Sequence, residues 1–248
     1  MSSPADPWAP LRRHTAARIG LGQVGGALPT REVLAFQAAH AAARDAVLQP
    51  WDTPRLVAQL EEMAWPTLQV RSLATDRSSY LRRPDLGRSL HPDDVAKLES
   101  QPHRYDMAVM VTNGLSSTAV HEHAAPFLAA VRVQADRQGL ALGPVVLADQ
   151  GRVALGDEVG AALGCPLIVV VVGERPGLTS TDSLGAYLTW RPRKGRTDAD
   201  RNCISNIRPD GQPLAVAAAR LVWLGVTAVS LRLTGVSLKD VAPLDRLL

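Results

Sequence analysis

Leu167 to Val172 is an unbroken aliphatic run with no polar residue alternating through it. A strand buried on both faces of a parallel sheet reads this way. Met107 to Val111 and Val145 to Leu147 are shorter runs of the same kind, and Ala186 to Trp190 is expected to be a further strand. Between them, Ser116 to Gln138 is predicted as a long helix with a kink at Pro126, and Val153 to Leu163 as a helix or helical turn. A last helix is expected from about Pro213. Strands alternating with helices at this spacing predict a parallel sheet with right-handed crossovers. Residues 105–248 are therefore expected to form a Rossmann-like domain.

The pattern differs before Tyr105. Residues 1–104 are rich in alanine and arginine and punctuated by proline, which predicts a mainly helical N-terminal lobe. Thr30 is expected to cap a helix running to about Leu48, and Thr53-Pro54 to open one running to Met63. Pro92-Asp93-Asp94 should start a short helix, with acids where the dipole favours them. Apolar segments here are short, so the lobe is expected to lie against a partner.

Composition narrows the class. With 248 residues, 46% hydrophobic and 21% charged, the chain can bury a full core. The 27 basic and 24 acidic residues are interleaved, without the aromatic-spaced basic runs of a nucleic-acid surface, so no nucleic-acid partner is expected. Arg191-Pro-Arg-Lys-Gly-Arg196 reads as a solvated loop. Two cysteines, Cys165 and Cys203, make no disulfide framework and suit a reducing cytosol. Met1-Ser-Ser-Pro-Ala-Asp-Pro-Trp has no apolar core of a secretory signal. Leu221 to Leu231 is too short a charge-free stretch for a membrane span and reads as core.

Few motifs carry chemistry by themselves. Gly20-Leu21-Gly22-Gln23-Val24-Gly25 matches a dinucleotide fingerprint, but Pro29 delays the helix and Asp45 falls inside one. In His121-Glu122-His123 the two imidazoles, at i and i+2 on a helix, point apart and make a poor chelating pair. Cys203 has Arg201 nearby, but no histidine follows His123, so a thiolate would need a base from the first half of the chain. Gly173-Glu174-Arg175-Pro176-Gly177-Leu178 leaves the carboxyl end of a predicted strand, where open α/β sheets bind ligands.

Several blocks, taken together, resemble a known family. They are Tyr80-Leu81-Arg82-Arg83-Pro84-Asp85-Leu86-Gly87-Arg88, Asn113-Gly114-Leu115-Ser116, Gly151-Arg152-Val153-Ala154-Leu155-Gly156-Asp157-Glu158, Gly173 to Leu178, and Thr197 to Ile207. In this order they resemble the small (light) subunit of adenosylcobalamin-dependent ethanolamine ammonia-lyase, over most of the chain from about Leu11. Asn113 stands where that pattern is expected to have aspartate. The resemblance implies a carbon–nitrogen lyase that converts ethanolamine to acetaldehyde and ammonia through an adenosyl radical. It also implies a large (heavy) partner subunit that binds ethanolamine and carries the radical chemistry. Val153, Glu174 and Cys203, on three loops at one sheet edge, would then contact the cobalamin without catalysing. Val153 would offer apolar contact to the corrin, Glu174 would accept from amide side arms, and Cys203 would allow close approach.

Cobalamin proteins that displace the cofactor's own base use a histidine in an Asp-x-His-x-x-Gly loop. Here Thr112-Asn113-Gly114-Leu115-Ser116 has none, so the cofactor is expected base-on, with its nucleotide tail folded under the corrin. The expected location is cytoplasmic, or inside a bacterial microcompartment by riding on the partner. Pro4, Pro7 and Pro10 oppose an amphipathic targeting helix. The rival readings are a stand-alone Rossmann-type nucleotide-dependent enzyme using Glu174 or Cys203, and a purely structural assembly subunit.

Overall fold

The apolar runs become the middle of one six-stranded sheet. The computed structural model describes residues 6–102 and 105–242; the readings of residues 1–5 and of a boundary at 104 lie outside the described residues. In chain order the elements are α1 (Ala9–Arg12), α2 (Thr30–Leu48), α3 (Thr53–Glu62), β1 (Thr67–Arg71), α4 (Arg77–Arg82) and α5 (Pro92–Glu99). Then follow β2 (Met107–Thr112), α6 (Ser117–Arg137), β3 (Leu142–Asp149), α7 (Leu155–Ala162), β4 (Leu167–Gly173), β5 (Leu184–Trp190), β6 (Arg201–Ile207) and α8 (Leu214–Leu231).

The strand order is β1-β3-β2-β4-β5-β6. The first four strands are parallel, while β5 is antiparallel to both β4 and β6. The sheet is thus mostly parallel, and the all-parallel expectation fails at β5. The connector 174–183 is ten residues without a helix. A parallel crossover needs about a dozen residues or more, so the chain turns back instead.

Every residue of β2 and β4 is buried. Met107, Val109 and Val111 face a core filled by α3, α6 and α8, while Ala108 and Met110 face a second core with α5 and α7. Because side chains alternate along a strand, residues on both faces must be apolar once helices cover both. The crossover β2-α6-β3 moves one way along the sheet and β3-α7-β4 moves back, which puts their helices on opposite faces if both are right-handed. The core clusters place α6 and α7 in just this way.

Local chemistry sets the helix ends. Ser116 Oγ accepts from Ala119 N–H at 3.1 Å to cap α6, which runs through Pro126 unbroken. The cap of α3 is Asp52, accepting from Arg55 N–H, so Thr53 and Pro54 are the first helical residues rather than the cap. The residue before α2 is Pro29, and no side chain caps that helix. α8 starts at Leu214, long and apolar enough to cross a membrane by composition alone; it packs on α6 and the sheet.

Two segments read from sequence as non-strand are strands. β1, inside the stretch assigned to the helical lobe, joins the sheet beside β3. The polar segment expected as a loop around Cys203 is β6, the edge strand against β5. What secures that edge is Arg201, whose guanidinium makes a two-pronged bond to Asp157 on α7, at 2.6 and 2.7 Å, with both side chains 3% exposed. It also donates to Thr189 Oγ1 on β5.

Removing one member of a buried pair strands the other charge, so Asp157→Ala should cost about 3–5 kcal/mol in urea unfolding. Replacing Asp157 and Arg201 together by apolar residues should cost less than the single change. A double variant less stable than Asp157→Ala would contradict this account.

Candidate functional site

The carboxyl ends of β2, β3 and β4 meet in a tightly knit edge. Gly114 has φ +53°, and a Cβ there would sit 2.2 Å from Val172 and 2.4 Å from the Gly173 carbonyl, so only glycine lets the β2 turn cross β4. Asn113, almost fully buried, accepts from Gln150 N–H at 3.1 Å, and Thr112 Oγ1 accepts from Gly151 N–H at 2.9 Å. These bonds splice the β2 and β3 loops together. Asn113 performs this neutral bridging role with its amide oxygen.

Tyr80 lies beneath this edge. Its hydroxyl donates to the Gly151 carbonyl at 3.3 Å, and the guanidinium carbons of Arg77 and Arg152 lie 5.0 and 4.5 Å from its ring centre. Arg152 Nη2 donates to the Tyr80 carbonyl, while its Nε is buried with no partner. Arg152 N–H bonds the Gly87 carbonyl at 2.7 Å. Blocks far apart in sequence, Tyr80–Arg88, Asn113–Ser116 and Gly151–Glu158, therefore converge here.

Beside them opens a depression of ≈ 410 Å³ that Val153, Glu174, Leu115, Tyr80, Arg152 and Tyr187 help to line. A second, of ≈ 490 Å³, shares Arg152, Val153 and Tyr187 with the first and adds Arg88, Arg196 and Asp198 among others. Val153 stands in the turn before α7 and Glu174 directly after β4, as expected. Cys203 is not in a loop at this edge but within β6, exposed and paired with Tyr187 in the ladder. The structure thus brings Val153 and Glu174 into one depression, whereas Cys203 lines neither and adjoins them only through its ladder partner Tyr187. Tyr80, Arg88, Arg152 and Tyr187 were not singled out from sequence. The first three lie inside the blocks quoted above, which was the available signal.

The polar groups are held in fixed forms. Glu174 Oε2 accepts from Asn206 N–H at 3.1 Å, and Gly185 leaves room for its other oxygen, which a Cβ would approach to 2.9 Å. Burial, then the neighbouring Cys203, push the Tyr187 phenol up; partial desolvation raises the thiol of Cys203 above its ordinary value against the opposing pull of Tyr187, although the residue is exposed at the surface. Both therefore stay protonated at neutral pH, which argues against Cys203 as a ready nucleophile. Cys165, on the turn after α7, is pushed up to about 11 by burial. Arg196, expected in a solvated loop, is half-buried and bonds Asp200 and the Trp190 carbonyl.

The connector 174–183 that carries Glu174 is latched to α6. Ser116 Oγ donates to the Thr181 carbonyl at 2.7 Å, and His123 Nε2 lies 3.0 Å from Asp182 Oδ2. His121 instead accepts from Asp52 N–H, so the two imidazoles serve different elements. Glu122, His123 and Asp182 place their ligating atoms within 4.8 Å of one another, a set that sequence spacing did not assemble. Another cavity, of ≈ 650 Å³, opens among the α2–α3 connection, Arg77 and Asp149 and reaches the same edge through Asn113 and Gln150, without Val153 or Glu174 in its wall. The Gly20–Gly25 loop precedes α2 and follows no strand among the described residues, so it lacks the setting of a dinucleotide fingerprint.

Comparison with known proteins gives one consistent result. The family model described as "Ethanolamine ammonia-lyase light chain (EutC)" matches residues 5–239. The chain is 50% identical over 250 aligned residues to the "Ethanolamine ammonia-lyase small subunit" of Pseudomonas syringae pv. tomato, covering 99% of this chain and 87% of that one. It is 51% identical over 241 residues to the protein of the same name from Ralstonia nicotianae, covering 96% and 89%. With the Azotobacter vinelandii protein of that name the figures are 48% over 251 residues, 99% and 93%.

The latch predicts a pH signature. Burial raises the Asp182 carboxyl, but the His123 bond and charge and the Ser180 hydroxyl outweigh it and hold the group below its ordinary value. Its contribution is complete at neutral pH and fades as pH falls through that lowered value. Asp182→Asn should lower the melting temperature at pH 7, with the gap closing below the ordinary carboxylate range of about pH 4. A gap independent of pH would show that the carboxylate charge plays no part.

Proposed function

The chain belongs to the ethanolamine ammonia-lyase light chain family and is a subunit of a lyase, and we propose that it seats adenosylcobalamin against a larger catalytic subunit. The observation that carries this reading is convergence. Val153 and Glu174, from separate sequence blocks, line one depression, and Cys203 is the ladder partner of Tyr187 in its wall. The site fits such a group. The cavity is open and shared between two lobes, it pairs apolar wall with hydrogen-bonding side chains, and it holds a buried guanidinium nitrogen with no partner. The parallel strands with helices on both faces are, in this reading, a Rossmann-like base that offers its carboxyl edge to the cofactor.

When bound, the cofactor supplies the adenosyl radical that starts the conversion of ethanolamine to acetaldehyde and ammonia. This chain's residues bind and orient. Val153 packs on the corrin, Glu174 accepts from its amide arms, and Cys203 with Tyr187 forms a close, uncharged wall. Ethanolamine is held by the partner. The word "small" in the relatives' names implies that larger partner. The N-terminal region suits its contact: α2, nineteen residues long, buries only Ala46, and Trp8, Leu34 and Phe36 are exposed. A cytoplasmic assembly, or one carried into a microcompartment by the partner, follows from this reading. In this reading the cofactor would bind base-on: among the described residues no histidine lines either lobe of the depression, so none there could replace the cofactor's own base.

Co-expressed with its large partner and given adenosylcobalamin, the assembly should release ammonia from ethanolamine, and the purified chain alone should not. Ammonia release by the chain alone would refute the division of labour.

Glu174→Arg and Cys203→Trp should weaken cobalamin retention in the assembly by roughly a few kcal/mol while leaving the fold intact. Unchanged cofactor affinity in both would show the assignment to be wrong. In the same assemblies, the cob(II)alamin spectrum should show nitrogen coupling only from the cofactor's own base. Coupling from a labelled protein histidine would overturn the base-on reading.

A further inference from the structure

We propose that Arg88 and Arg152 form a phosphate-binding subsite for the nucleotide tail of the cobalamin; this rests on the cofactor reading above. The second depression has four arginines in its wall, Arg88, Arg152, Arg196 and Arg201. Two are already neutralised. Arg201 is bound by buried Asp157, and Arg196 is paired with Asp200 at 3.1 Å. Arg88 and Arg152 meet no carboxylate within ion-pair distance among the described residues.

The acid in that wall is Asp198, fully exposed and 3.8 Å from Arg201 Nε. The local balance is therefore positive, in a concave site, where unpaired charge favours an anion. Arg152 is held in place by the Tyr80 ring and carbonyl. It needs little further ordering to grip a ligand. Arg88 is exposed and unpartnered, at the end of the block that begins with Tyr80. Guanidinium groups suit phosphate oxygens because their N–H pairs match phosphate geometry.

Continuity ties this subsite to the cofactor. Val153, Tyr187 and Arg152 belong to both depressions, so a ligand resting on Val153 borders the basic lobe without crossing a wall. The amide arms of the corrin are neutral and the ring's own charge is spent on cobalt, whereas the nucleotide tail carries an outlying phosphodiester anion. A base-on tail is the part of the molecule that brings an anion to this lobe.

The test measures dissociation constants of the assembled enzyme for three corrinoids, by ultrafiltration and visible absorption. Adenosylcobalamin carries the whole tail, cobinamide phosphate keeps the phosphate without ribose and base, and cobinamide lacks all of it. Arg88→Gln should weaken the first two by at least about tenfold and leave cobinamide unchanged, and Arg152→Gln, whose side chain also lines the first depression, should weaken the first two at least about tenfold more than cobinamide. Inorganic phosphate should compete with cobinamide phosphate but not with cobinamide in the parent enzyme. Added salt should weaken adenosylcobalamin binding more in the parent than in the variants.

Equal losses for all three corrinoids, or no loss for any, would overturn the subsite. Because Arg152 also supports Tyr80, the exposed Arg88 gives the variant least able to disturb the fold. Glu174→Arg serves as the separate arm. If it weakens cobinamide while the arginine variants discriminate nothing, the cofactor reading stands and the phosphate subsite fails. If no corrinoid binds the parent enzyme, the cofactor reading itself fails.

Discussion

Asp157 and Arg201 meet where a helix on one face of the sheet would otherwise be free of the edge strand. The pair joins the first turn of α7, just after Val153, to the first residue of β6, two residues before Cys203. Thr189 on β5 and the Arg196 carbonyl take the remaining guanidinium bonds that can be traced. Three otherwise separate walls of the two depressions are thereby held in one frame. A pair of this kind gains little net stability over an apolar replacement, since desolvation consumes most of the Coulomb attraction. What it supplies is position.

The middle of the sheet was legible because two-sided burial leaves a plain sequence mark. Leu167 to Val172 and Met107 to Val111 contain no polar residue, and each became a fully buried strand. The edges leave no such mark. β1 buries only Val70 completely, and β6 reads Arg-Asn-Cys-Ile-Ser-Asn-Ile, with polar residues at most positions. Edge strands take their structure from a neighbour more than from local pattern. The reversal at β5 was legible in principle, since ten residues without helical spacing cannot make a crossover.

For the site, the same logic separates what was found from what was missed. Val153 and Glu174 follow strands that could be located, so their placement at the carboxyl edge came with the fold. Tyr80 was not reachable in this way, because its partners Gly151 and Arg152 lie about seventy residues away and the contact is a stacked ring under a guanidinium. His123 and Asp182 are likewise far apart in sequence and meet only because the β4–β5 connector folds back over α6. Spacing rules work along one helix or strand, and these contacts join different elements.

The protonation states separate the two principal functional readings. A cysteine nucleophile needs a depressed thiol and a nearby base. Cys203 has a raised thiol: desolvation and the nearby Glu174 carboxylate outweigh the Tyr187 phenol, which favours thiolate. Glu174 is committed to the Asn206 amide rather than poised toward a proton donor. A thiol and a phenol that stay protonated make poor nucleophiles at neutral pH. They suit the uncharged wall proposed for them above.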